Sequence, residues 1–129
     1  MTADDRPTDV VEQFRLAESL VSERRPLEAL RQLRPVLDAE PDAPSVQLLA
    51  GRAYLQSAQL HRAEEAFLRV LENNPSDHYA RFALGRTLQR QSRLEEARAQ
   101  FAMAAAMNPT PEYQEALNEV RMRLAARET

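Results

Sequence analysis

Few side chains in this sequence are of a type that supports covalent or metal chemistry. There is no cysteine, which removes a thiol nucleophile, a thiolate metal site and a disulfide. The two histidines, His61 and His78, lack the i, i+4 or short-loop spacing of a metal pair, so each is expected on a helix surface. Ser92 is read as half of a helix-capping box with Glu95 rather than as a nucleophile. The adjacent acids Glu64-Glu65 and Glu95-Glu96 are expected on solvated faces, not as an acid–base pair. The glycines number two, Gly51 and Gly85, and both are needed for helix packing, which leaves none for a phosphate-cradling loop. No enzyme activity, cofactor or metal is expected.

The remaining chemistry is that of arginine and of exposed apolar groups. All 17 basic residues are Arg and isoleucine is absent, as in G+C-rich bacterial coding. Against 20 acids they give a net charge of −3, which gives no reason to expect nucleic acid as the main partner. The balance is uneven: residues 1–43 carry six Arg against ten acids, whereas residues 78–111 carry five against two. Arg86, Arg90 and Arg93 follow helical spacing and are expected to form a basic strip. No apolar run approaches the roughly 20 residues needed to span a bilayer. The acidic, polar start Met1–Arg6 does not read as a secretory signal, so a cytoplasmic setting without membrane contact is expected.

The elements that position these groups come from repetition. Pro41, Pro75 and Pro109 recur every 34 residues, as do Ala29, Ala63 and Ala97, and Leu33, Phe67 and Phe101. Ala17, Gly51 and Gly85 form a fourth column, and Leu20, Tyr54 and Leu88 a fifth. Within each period apolar residues follow two helical stripes, and strand signals are missing. Small residues at the Ala17/Gly51/Gly85 and Ala29/Ala63/Ala97 columns let the two helices approach, and the Phe column fills the wedge between them. Pro44 and Pro111 suit the first turn of a helix, and Pro26 starts another. Pro35 falls inside a helix, where it predicts a kink or 3₁₀ distortion over Arg31–Pro35.

The columns resemble the tetratricopeptide repeat, whose 34-residue pattern runs W-x2-L-G-x2-Y, A-x3-F, P. Ala50-Gly51, Tyr54, Ala63, Phe67 and Pro75 carry it in the second period, and Leu84-Gly85, Leu88, Ala97, Phe101 and Pro109 in the third. Leu16-Ala17, Leu20, Ala29, Leu33 and Pro41 form a weaker first copy. The Trp column is replaced by Gln13, Gln47 and Arg81, and the usual turn glycine by Arg24, Ala58 and Ser92. The resemblance implies a single all-α domain over residues 1–129, a right-handed superhelical solenoid. It consists of repeats at about 10–43, 44–77 and 78–111, a capping helix at 112–127 and a polar tail at 1–8. Continuing the period into the last helix fits poorly. Sliding it by two residues puts Tyr113, Ala116, Leu117 and Val120 in the packing columns, with Leu124 extending the stripe.

The resemblance also implies that first helices line a concave groove. The matching positions here are Val11, Phe14, Glu18 and Val21; Ser45, Leu48, Arg52 and Leu55; and Tyr79, Phe82, Arg86 and Gln89, with Arg90 adjacent. The residues with which some relatives clamp a chaperone's C-terminal carboxylate are absent: Phe14, Glu18, Leu49, Tyr79 and Ala83 stand in their places. The expected function is a protein-interaction adaptor that takes a peptide or helix of a partner, apolar with an acidic end, acting as a monomer or weak homo-oligomer. The alternative is a self-assembling scaffold that associates through the convex face, Met103 and Met107, or the last helix.

Overall fold

A computed structural model describes residues 9–128; the polar tail 1–8, including Pro7, lies outside the described residues. Seven α-helices follow one another: α1 (Val10–Ser22), α2 (Pro26–Ala39), α3 (Pro44–Gln56), α4 (Leu60–Asn73), α5 (His78–Arg90), α6 (Leu94–Met107) and α7 (Pro111–Arg127). The described residues contain no strand. Pro26, Pro44 and Pro111 begin α2, α3 and α7, at positions where an N–H would have no intrahelical acceptor. Asp77 caps α5 by accepting from the Ala80 N–H, and Thr110 caps α7 by accepting from the Tyr113 N–H.

Helices pair as α1/α2, α3/α4 and α5/α6, and each pair turns in the same way. After α1, the Arg25 N–H donates to the Leu20 carbonyl (2.8 Å) and the Arg24 N–H to that of Val21 (3.0 Å). Gln59 with Tyr54 and Ala58 with Leu55 repeat this after α3; Arg93 with Leu88 and Ser92 with Gln89 repeat it after α5. This crossed pair of bonds needs a left-handed residue. Arg24, Ala58 and Ser92 supply it at φ of 60°, 61° and 62°. The expected Ser92–Glu95 capping box is therefore corrected: Ser92 closes α5, and Arg93, without a side-chain cap, precedes α6.

A side chain held in the left-handed region costs about 1 kcal/mol or more, partly offset when glycine loses more backbone freedom on folding. Replacing Arg24, Ala58 and Ser92 together with glycine is expected to raise the melting temperature by roughly 5–15 °C. A calorimetric midpoint at or below that of the parent would contradict this account of the turns.

Within pairs, the small-residue column meets the large one. A Cβ on Gly51 would lie 2.5 Å from Phe67 Cε1, and one on Gly85 would lie 2.6 Å from Phe101 Cδ1. The first pair matches a larger residue with a smaller one, Ala17 facing the Leu33 column, and both are fully buried. The lost Trp column is replaced by polar ties: the Gln47 amide donates to the Pro41 carbonyl (2.6 Å), and the Arg81 guanidinium to that of Pro75 (3.3 Å). Each ties the start of a repeat to its preceding loop. Gln56 Nε2 likewise reaches back to the Val21 carbonyl (3.0 Å), and Arg90 to that of Leu55 (2.9 Å), joining successive first helices.

The apolar core forms two clusters, one over α1–α3 and one over α4–α7, and Tyr54 packs against both. α2 runs as unbroken α-helix through Pro35, so the expected 3₁₀ distortion is corrected. Arg31 and Pro35 are both exposed, and the carbonyl that proline deprives of a donor lies on the solvated side, where water can satisfy it.

α7 buries Tyr113, Ala116, Leu117, Val120 and Leu124, the stripe expected from the sequence. Its register differs from expectation. Residues 40–43 and 74–77 connect the earlier pairs, whereas 108–110 lead into α7, one residue fewer. The buried set lies 33 positions beyond Ala80, Ala83, Leu84 and Thr87, all buried on α5. α7 has thus slid by one residue, not two, and presents the face that a first helix turns toward the preceding repeat. Gln114, Asn118, Arg121 and Ala125, where a following helix would pack, are exposed. The corresponding face of α1 is exposed and polar except for Leu16: the buried sets Val46/Leu49/Ala50/Ala53 and Ala80/Ala83/Leu84/Thr87 correspond to Glu12, Arg15, Leu16 and Ser19.

Candidate functional site

The candidate groove residues lie on α1, α3 and α5, and their exposure separates them into three groups. Val11, Glu18, Ser45, Tyr79, Arg86 and Arg90 are exposed. Phe14, Leu48, Arg52 and Leu55 are half-buried, with Phe14 against the first core cluster and Leu48 and Leu55 against the second. Val21, Phe82 and Gln89 are buried.

Val21, Phe82 and Gln89 are corrections to the expected surface, at 1%, 5% and 8% exposure. Phe82 stacks on Tyr113 with ring centroids 4.7 Å apart and contacts Phe101 at 5.7 Å. α7 therefore covers the third member of the Phe14/Leu48/Phe82 column and makes it core. The Tyr113 hydroxyl lies 2.9 Å from His78 Nδ1, and burial pushes its phenol above the ordinary range. His78 is thus not a bare surface residue, as its spacing had suggested, but a half-buried contact for α7.

The expected basic strip is broken as well. Arg86 lies over the Phe82 ring, 5.1 Å from its centroid, and faces solvent. Arg90 braces α3 through the Leu55 carbonyl. Arg93 is beyond the turn, where it pairs with Glu96 (2.7 Å) and Glu64 (2.8 Å). Its hydrogen bonds hold the Glu96 carboxyl below the usual carboxylate range, and Glu64 is half-buried rather than freely solvated. Arg25 and Arg98 are paired too, with Glu28 and Glu95. Arg52 and Arg86, by contrast, have no carboxylate partner among the described residues.

One concavity reaches these positions and a larger one lies apart from them. A notch of about 190 Å³ opens at the start of the groove, lined by Val10, Val11, Phe14, Val36, Ser45 and Val46 together with Glu40. It has room for a single apolar side chain. A wider cleft of about 680 Å³ opens between α2 and α4 over Gln47, Ala50 and Tyr54, and none of the candidate groove residues lines it. It exists where the second repeat carries Gln47 and Ala50 while the third has the larger Arg81 and Leu84.

The one-residue slide of α7 adds positions that the sequence reading missed. Those lying 33 beyond Tyr79, Phe82 and Arg86 are Glu112, Glu115 and Glu119, all exposed. The shortened 108–110 connector was the available signal.

The tetratricopeptide repeat family profile matches residues 14–61 and 48–112. No curated protein matches the chain. Among solved structures, the first TPR of Spaghetti (RPAP3) bound to the HSP90 peptide SRMEEVD is 18% identical, with a TM-score of 0.84, over 96% of this chain and 99% of that one. A crystal structure of MamA is 14% identical, with a TM-score of 0.87, over 97% of this chain and 74% of that one. The Sgt2 TPR domain from Aspergillus fumigatus is 12% identical, with a TM-score of 0.85, over 99% and 87%. These likenesses establish the fold.

Proposed function

The chain belongs to the tetratricopeptide repeat family, and on that premise we propose that it is a cytoplasmic protein-interaction adaptor, not an enzyme, which holds a segment of a partner along the α1–α3–α5 groove. The observation that carries this reading is the combination of half-buried apolar side chains, Phe14, Leu48 and Leu55, with solvent-facing Arg86 and unpaired Arg52. Apolar anchors beside arginine are a common composition for protein recognition surfaces. Tyr79, whose ring centroid is 6.3 Å from that of Phe82, adds an exposed aromatic. Glu18 and Arg90 border the same surface, Arg90 with one guanidinium nitrogen already committed to α3.

The partner segment carries apolar anchors and an acidic group that meets Arg52 and Arg86. It is not expected to be a chaperone's C-terminal carboxylate, because the clamp positions that the family resemblance implies hold Phe14, Glu18, Leu49, Tyr79 and Ala83, of which Leu49 and Ala83 are buried. Affinity capture with the wild type and a Leu48→Glu, Arg86→Glu variant tests the reading. A charge at Leu48 and reversal at Arg86 should reduce recovery of a specific partner by at least about tenfold. Equal recovery by a folded variant would contradict it.

The scaffold alternative is supported by Met103, Met107 and Met122 on the outer faces of α6 and α7, at 36%, 44% and 72% exposure. The polar ends formed by α1 and α7 do not favour end-to-end stacking of copies. Light scattering across a concentration series separates the readings: a monomer supports the adaptor, and an oligomer dispersed by substitution of these methionines supports the scaffold.

A further inference from the structure

Four charges stand at one level across the first helices and the cap. Glu18, Arg52 and Arg86 are 34 residues apart, and the slid register of α7 brings Glu119 to the equivalent position. Their order from α1 to α7 is acid, base, base, acid. None has an ion-pair partner among the described residues, although Arg25, Arg93 and Arg98 all do. Glu18, Arg86 and Glu119 are exposed and Arg52 is half-buried. Neighbouring helices pack at about 8–10 Å between axes, a gap an arginine can cross, as Arg90 does to the Leu55 carbonyl, yet none of the four charges on this row pairs with its neighbour. The row remains available to an external chain.

Resting on the groove reading above, we infer that the partner segment is extended and carries charges in the complementary order base, acid, acid, base, one for each helix. An extended chain in the polyproline II conformation advances about 3.1 Å per residue with three residues per turn, so one helix-to-helix step corresponds to about three residues and every third side chain faces the row. The acids face Arg52 and Arg86, and the flanking bases face Glu18 and Glu119. Side chains between them fall toward the neighbouring row, where Phe14, Leu48 and the 190 Å³ notch accept apolar groups. The other row member on α7, Glu115, continues the negative end. A purely acidic segment would be repelled at both ends, so the row selects a mixed-charge partner over a simple acidic one. Charge complementarity of this kind acts chiefly on specificity and register.

The test is selection of a phage-displayed random 14-residue peptide library on the wild type, a Leu48→Glu variant and a Glu119→Arg variant, each checked for folding by circular dichroism. Peptides enriched on the wild type should carry a base, two acids and a base at intervals of about three residues and should lose binding to Leu48→Glu. On Glu119→Arg the preference for the base at that end should fall by roughly two- to fivefold, the scale of one partly exposed ion pair. An acid at that peptide position should restore binding. Enriched peptides that depend on Leu48 but show no such charge order, or the same order on Glu119→Arg, would overturn this inference and leave the groove reading standing. No enrichment, or enrichment indifferent to Leu48→Glu, would overturn both.

Discussion

Alanine at Tyr113 is expected to destabilise the protein by about 3–5 kcal/mol, the range for deleting a buried aromatic side chain. Tyr113 is 5% exposed, stacks on Phe82 at 4.7 Å and bonds His78 at 2.9 Å. It is the residue through which α7 grips α5, while the rest of its buried stripe belongs to the same cluster as Phe101 and Ala105 of α6. The loss should therefore be local first. Amide hydrogen exchange should show α7 losing most of its protection while α1–α4 keep theirs. A uniform loss, or none, would contradict the latch. Phenylalanine at the same position keeps the ring and removes the hydroxyl, at a cost of about 1 kcal/mol. It should also flatten the alkaline end of the stability profile. Burial raises the phenol above its ordinary 10.0, so folding favours the neutral form; that contribution is complete below pH 10 and is lost as pH rises through the folded value.

Gly85→Ala is the second large effect. The added carbon would lie 2.6 Å from both Cδ1 and Cε1 of Phe101, a ring with no exposed surface into which it can swing. Overpacking of this kind costs about 1–3 kcal/mol, against a gain of up to about 1 kcal/mol in helix propensity. The first repeat shows the compatible combination, Ala17 with Leu33. Phe101→Leu should therefore relieve the strain of Gly85→Ala, and the double variant should be more stable than the sum of the single changes by at least about 1 kcal/mol. Strict additivity in denaturant unfolding would show that the two positions do not share the contact.

These two sites mark how far the sequence could be read. The Gly51/Phe67 and Gly85/Phe101 contacts follow from columns of small and large residues one period apart, because a repeating fold repeats its contacts. The same logic failed where the period broke. One residue missing from the 108–110 connector moves α7 by about a third of a turn; Tyr113 of α7 stacks on Phe82, which is core, and Glu119 lies 33 residues beyond Arg86. His78–Tyr113 and Arg93–Glu64 join residues 35 and 29 positions apart; helical spacing, which sees one turn at a time, carries no trace of either. Ser92 was misread because serine suits both a cap and a turn. Its equivalence to Arg24 and Ala58, neither a capping residue, was the better guide.

The central claim is that the surface formed by α1, α3, α5 and α7 receives a partner segment. Backbone amide chemical-shift mapping of the labelled protein during titration with a library-selected peptide tests it most directly. The predicted result is a continuous set of shifts over Phe14, Glu18, Leu48, Arg52, Tyr79, Arg86 and Glu119, with α2, α4 and α6 little changed. Shifts confined instead to the α2–α4 cleft around Gln47 and Leu68, or to Met103 and Met107 on α6, would contradict it.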